Sequence, residues 1–184
     1  MKKMLFLAMF ILCACVPSYD KAPKMKDYSQ VPLLELPVSR VNIVSNIGQM
    51  ERLPHVENLM PMTPEKALKN WALIRLRPDY QKPYKAEFVI LKAEMIRSEQ
   101  PEKNWFIYDN YKYVLSYQVE VRIFNEEKET LCTVTIDGFI AQTLPQKASV
   151  NQRDNMFTQM LLDMEDQLDE QMTQEIKQNL LDLS

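Results

Sequence analysis

Between Tyr111 and Ile123 every odd position carries an apolar or aromatic side chain: Tyr111, Tyr113, Leu115, Tyr117, Val119, Val121 and Ile123. Lys112, Ser116, Gln118, Glu120 and Arg122 take most of the even positions. Successive side chains of a strand point to opposite faces. The spacing therefore predicts a long strand with one face buried and the other turned to water or polar contact.

Neighbouring stretches fit the same sheet. Glu87 to Met95 reads as a strand with Val89, Leu91, Ala93 and Met95 on one face and Lys92 and Glu94 on the other. Asn125 to Glu129 is a polar connection of hairpin length. In the strand that follows it, Cys132, Val134, Ile136 and Ile140 share a face. Upstream, Val38 to Ser45 alternates Val41 and Ile43 with Arg40 and Asn42 and reads as the first strand. Trp105, Phe106 and Ile107 are a candidate for a short extra one.

Two helices complete the pattern. Thr63-Pro64-Glu65 supplies an N-cap, a first-turn proline and an early acid. Ala67, Leu68, Trp71, Ala72 and Leu76 follow at helical spacing, and Pro78 sets the end near Leu76. Trp71 is expected to anchor the core, with Arg75 and Arg77 on the exposed side or its edge. Ser149 and Gln152 form a capping box, from which a helix should run to about Leu181. Met156, Met160, Met164, Leu168, Met172, Ile176 and Leu180 recur every fourth residue. Each such step overshoots a turn by about 40°, so the row must spiral. The flank carrying Asp163, Glu165, Asp166, Asp169 and Glu170 reads as a solvated acidic face.

The order is strand, helix, three strands, long helix. The expected fold is α+β, a two-layer sandwich in which two helices cover one face of a mainly antiparallel four-stranded sheet. Residues 38–184 form this single domain.

Several chemistries are excluded or left without support. The chain has only Gly48 and Gly138, too far apart to write a phosphate-cradling loop or a dinucleotide fingerprint. A formal charge of −3 without basic clusters makes nucleic acid an unsuitable partner. His55 is the only histidine, so no second one shares a metal, and a structural or solvent-facing role is expected. Cys132 lies on the apolar face of its strand and reads as a small core residue, without the positive surroundings of a reactive thiolate. Asp137 and Asp109 lie near strand ends as candidate acids, yet nothing brings them to a base. No catalytic residue, metal or cofactor is therefore assigned.

The address lies at the other end of the chain. Lys2 and Lys3 precede nine apolar residues, Met4 to Leu12, too short a run to span a membrane. Leu12-Cys13-Ala14-Cys15 follows directly. This stretch resembles the cleavage-and-lipidation box of bacterial lipoprotein precursors. The resemblance implies a signal peptide over residues 1–14, a diacylglyceryl group on Cys15, and a mature chain that begins there. Since Val16 and not Asp follows Cys15, the family's sorting pattern implies the outer membrane, with the domain on the periplasmic face. Cys132 would then be the only thiol left, excluding an internal disulfide. Residues 15–37, with Pro17, Pro23, Pro32 and Pro37, read as the lipidated cysteine and a tether. Val31 to Leu36 either belongs to that tether or lies flat on the domain.

In element order the chain also resembles auxiliary lipoproteins of ABC-type lipid transporters and the small lipopolysaccharide-assembly lipoprotein. Pro54-His55-Val56-Glu57, Thr63-Pro64-Glu65-Lys66-Ala67 with Trp71, and Ala148-Ser149-Val150-Asn151 resemble uncharacterised predicted lipoproteins of Gram-negative bacteria. The resemblance implies a non-catalytic, membrane-anchored interaction or assembly subunit with an envelope protein partner. The alternative is a lipid or small-ligand carrier with a cavity lined by Met160, Met164 and Met172. On strands of ordinary length the end of the long helix would overhang the sheet. Met172, Ile176, Leu180 and Leu183 would then be free to dock a partner. Long strands would instead bury them.

Overall fold

A computed structural model describes residues 19–24, 27–48, 52–80, 82–100 and 110–179. Its strands and α-helices are β1 (Leu34–Leu36), β2 (Arg40–Ser45), α1 (Pro64–Arg75), β3 (Leu76–Pro78), β4 (Lys85–Gln100), β5 (Asn110–Phe124), β6 (Thr130–Pro145) and α2 (Val150–Asn179). The four-stranded sheet has the order β2-β4-β5-β6. β4, β5 and β6 are antiparallel neighbours, and β2 runs parallel to β4. β1 and β3 form a small parallel pair of their own. The architecture is the α+β sandwich expected. Trp105 to Ile107 and Asp109 lie outside the described residues.

The strict alternation of β5 does what its chemistry requires. Tyr113, Leu115, Tyr117, Val119, Val121 and Ile123 are buried beneath the helices, while the even positions are half-buried on the far face. The hairpin to β6 closes when Asn125 Oδ1 accepts the Glu129 N–H at 2.8 Å, with Lys128 in the left-handed region at φ 67°. On β6 the ring of Tyr117 crosses Gly138 so closely that a Cβ there would sit 2.7 Å from its hydroxyl. That close approach, and not backbone freedom, explains the glycine.

β4 departs from the expected pattern. Ala86, Phe88 and Ile90 face the helices, and then Ala93 and Met95 do so. Ile90 pairs with Val119 and Lys92 with Gln118, leaving Leu91 as one residue too many. This β-bulge changes which parity faces inward, so Val89 and Leu91 do not share a face with Ala93 and Met95.

The helices start and pack as their sequences dictate. Thr63 Oγ1 accepts the Lys66 N–H at 3.3 Å, and α1 turns into extended chain at Leu76. Trp71 is buried with its ring 5.8 Å from that of Phe88 on β4. At the start of α2 the capping box is reciprocal: Ser149 N–H to Gln152 Oε1 at 2.9 Å, Gln152 N–H to Ser149 Oγ at 3.2 Å. Met156, Met160, Met164, Leu168 and Met172 are all fully buried. Near the first of them, Phe157 meets Tyr113 edge-on at 5.3 Å. Further along, Asp169 meets α1, so the neighbours of α2 change as its apolar row turns.

β4, β5 and β6 run for 16, 15 and 16 residues. At about 3.3 Å per residue the sheet is about 50 Å long. The 30 residues of α2, at about 1.5 Å each, need about 45 Å. The overhang that would free a docking face therefore does not arise among the described residues. Met172 is core and Ile176 packs partly buried against it. Leu180 and Leu183 lie outside the described residues.

The chain ahead of β1 is also packed. Asn155 Nδ2 donates to the Tyr19 carbonyl at 2.9 Å and Gln152 Nε2 to Asp20 at 2.8 Å. The Tyr28 hydroxyl donates to Glu165 at 3.1 Å, and Leu34 and Leu36 enter the core. Residues 31–36 thus lie on the domain, and the chain ahead of them already touches α2 at Tyr19, Asp20 and Tyr28.

Candidate functional site

Two clusters of polar side chains stand out, one closed and one open. The closed one corrects an expectation. Arg75, expected on the exposed side, is 2% exposed, and Asp169, expected on a solvated face, is 9% exposed. Arg75 Nε donates to Asp169 Oδ1 and Arg75 Nη2 to Oδ2 at 3.3 Å. The Trp71 indole N–H reaches the same Oδ1 at 3.1 Å. Arg75 Nη1 bonds the Pro32 carbonyl, and the Tyr28 ring centroid lies 5.9 Å from the guanidinium. One carboxylate thus ties α1, α2 and the segment before β1 together. Arg75 stands four residues after Trp71 on the apolar stripe of α1, and that spacing was the available signal. All the donors here are engaged with protein, so the cluster offers no reacting atom.

The open cluster lies on the β2 side of β4. β2 covers β4 as far as Ile90, where the Asn46 N–H bonds the Ile90 carbonyl at 3.0 Å. A second cover begins five residues later: Val56 N–H to the Met95 carbonyl at 3.0 Å, and Arg97 N–H to the Pro54 carbonyl at 2.9 Å. Between them Leu91, Lys92, Ala93 and Glu94 line a cleft of about 520 Å³ with Asn46, His55, Glu57 and Glu65. Glu57 Oε1 accepts the Met95 N–H at 2.8 Å and lies 3.3 Å from His55 Nδ1. Glu57 Oε2 is buried with no hydrogen-bond partner among the described residues. Lys92 pairs with Glu94 at 2.7 Å and Lys69 with Glu65 at 2.6 Å. That hydrogen bond from Lys69 holds the Glu65 carboxyl below its ordinary value. Neither the bulge nor Glu57 could be read from spacing, because the gap exists only once β2 ends before β4 does.

Of the described residues singled out in the sequence, His55 lies at this cleft and the rest do not converge with it. His55 is half-buried beside Glu57 and pairs across to Ile96. Cys132 is half-buried at the core margin, and burial pushes its thiol up, away from the thiolate. Asp137 is exposed on β6. Met160, Met164 and Met172, expected to line a carrier's cavity, are fully buried in the packed core. Among the described residues no group of three or more His, Cys, Asp or Glu side chains could hold a metal ion. No described helix is long and apolar enough to cross a membrane. Cys15 lies outside the described residues.

No protein-family model and no curated protein sequence matches the chain. Among solved structures the chain is similar to a minor lipoprotein from Acinetobacter baumannii, at 13% identity and TM-score 0.40, over 74% of this chain and 94% of that one. It is similar to an uncharacterised lipoprotein B from Nitrosomonas europaea at 16% identity and TM-score 0.40, covering 78% and 88%. It is also similar to the rare lipoprotein B from Shewanella oneidensis at 13% identity and TM-score 0.37, covering 73% and 94%. No residue role is transferred from any of them.

Proposed function

We propose that the chain is a non-catalytic lipoprotein, anchored through Cys15 on the periplasmic face of the outer membrane, that acts by binding another envelope protein. The observation that carries this reading is the run Leu12-Cys13-Ala14-Cys15 after a short apolar segment. Two acyl chains on one cysteine make stable attachment, since burial is worth about 0.8 kcal/mol per methylene. The absence of chemistry is supported by a Cys132 thiol that burial pushes up, an exposed Asp137 and a histidine engaged with Glu57. An interaction role is supported by exposed Leu73 and Tyr80, which flank a second cleft beside β2.

The packing of Tyr19 gives this reading a geometry. Only Val16, Pro17 and Ser18 separate Cys15 from Tyr19, a reach of at most about 14 Å. The N-terminal end of α2 would therefore face the membrane, and the turn between β5 and β6 would point away. Cys15→Ser is expected to abolish lipid labelling and release the protein from membranes; labelling that persists would refute the anchor. In a Cys132→Ala background, a spin label at Val150→Cys should broaden with lipid-borne relaxants more than one at Glu126→Cys. The reverse order would refute the orientation. Affinity purification from detergent-solubilised envelopes, compared with the Cys15→Ser chain, tests for the protein partner.

A further inference from the structure

We propose that the cleft on β4 binds a short extended peptide segment bearing a lysine or arginine side chain. The backbone of β4 asks for the extended segment. Met95 and Arg97 turn their backbone groups toward residues 54–57, and by two-residue alternation Ala93 does the same. Ala93 therefore presents an amide and a carbonyl to the gap between the two covers. An added strand satisfies such groups, whereas a compact ligand does not.

The side chains ask for the cation. Glu57, Glu65 and Glu94 face Lys92 alone among the charged lining residues, so the cleft is net acidic. Lys92 and Lys69 are already engaged with Glu94 and Glu65, which leaves the buried Glu57 Oε2 as the oxygen in need of a donor. An unpartnered buried carboxylate oxygen is costly, and an ammonium or guanidinium N–H is its strongest partner. His55 Nδ1 and the Met95 N–H hold Oε1, and Oε2 is screened from solvent, so a basic side chain meets it only as the carboxylate turns toward the cleft. A volume of about 520 Å³ accommodates a basic side chain with a few residues of backbone. The bulge at Leu91 shapes the site by inserting one residue where the first cover stops.

This proposal gives chemistry to the partner in the reading above, yet it is read out separately from lipid labelling of Cys15. The full chain in detergent micelles is titrated with capped pentapeptides of alternating valines around a central lysine or a central norleucine, and with butylamine. Amide shifts are followed by NMR at low salt. The lysine peptide should shift residues 46–48 and 91–94 and bind at least tenfold more tightly than the norleucine peptide or butylamine. Glu57→Gln, which retains an acceptor for Met95, should weaken the lysine peptide at least tenfold with little change in melting temperature. Equal binding of lysine and norleucine peptides would overturn the role of Glu57 without any variant. Butylamine matching the peptide would overturn the strand addition. Shifts at these residues that depend on protein concentration alone would mean a second copy fills the edge, and would also overturn it.

Discussion

α2 is buried along two stretches that could hardly differ more. From Met156 to Leu168 it offers the core a row of methionines and leucines, with no polar atom to satisfy. One residue later Asp169 offers a carboxylate to Trp71 and Arg75. The apolar row supplies adhesion but little register, because thioether chains repack and one turn looks much like the next. The carboxylate supplies register, because its two oxygens meet fixed donors on α1 only at one setting of the helices. Adhesion and alignment are thus divided between neighbouring turns of one helix.

The sharpest way to break this comparison is Asp169→Ala. It leaves a buried guanidinium and an indole N–H without their acceptor and should cost about 3 to 5 kcal/mol. The paired change Arg75→Met with Asp169→Leu should restore most of that stability while broadening the NMR lines of residues 28–36. A double variant with unchanged line widths would remove the alignment role. Within the apolar row, Met160→Ala should cost about 2 to 5 kcal/mol in denaturant melts. Met164→Leu should cost less than about 1.5 kcal/mol, since volume is kept. If Met164→Leu proved as damaging as Asp169→Ala, the row would be as geometric as the node. The smallest effect belongs to the surface of α1. The Glu65–Lys69 pair contributes about 0.3 to 0.5 kcal/mol. Because the Glu65 pKa is lowered, that contribution is present above the ordinary carboxylate range and is lost as pH falls through the folded value. Acid melts of Glu65→Gln should lack this small slope.

What could be read from the chain follows the same division. Period-two and period-four rows announced β5, β6 and α2, and Thr63 and Ser149 announced the helix starts, because each depends on residues close in sequence. The charge of Arg75 argues for the surface and its place on the stripe for the core; the core wins because of an acceptor 94 residues away, which no local pattern shows. The length of the strands decided the fate of Met172, and periodicity bounds length poorly where a bulge interrupts it. Glu57 carried no local signal at all. Its neighbours Ala93 and Met95 come to it only through the pairing of β4 with two separate stretches of chain.

Leu91 can be taken as an insertion in an otherwise complete design. Removing it would restore regular pairing of Ile90 and the following residue with Val119 and Gln118. Phe88, Ile90, Ala93 and Met95 would stay on the helix side. The fold is therefore indifferent to this one residue in a way it is to few others. A single-codon deletion would shorten the gap between the two covers by one residue and keep the domain. The length of this free edge is thus a modular feature, separable from the packing that makes the protein fold.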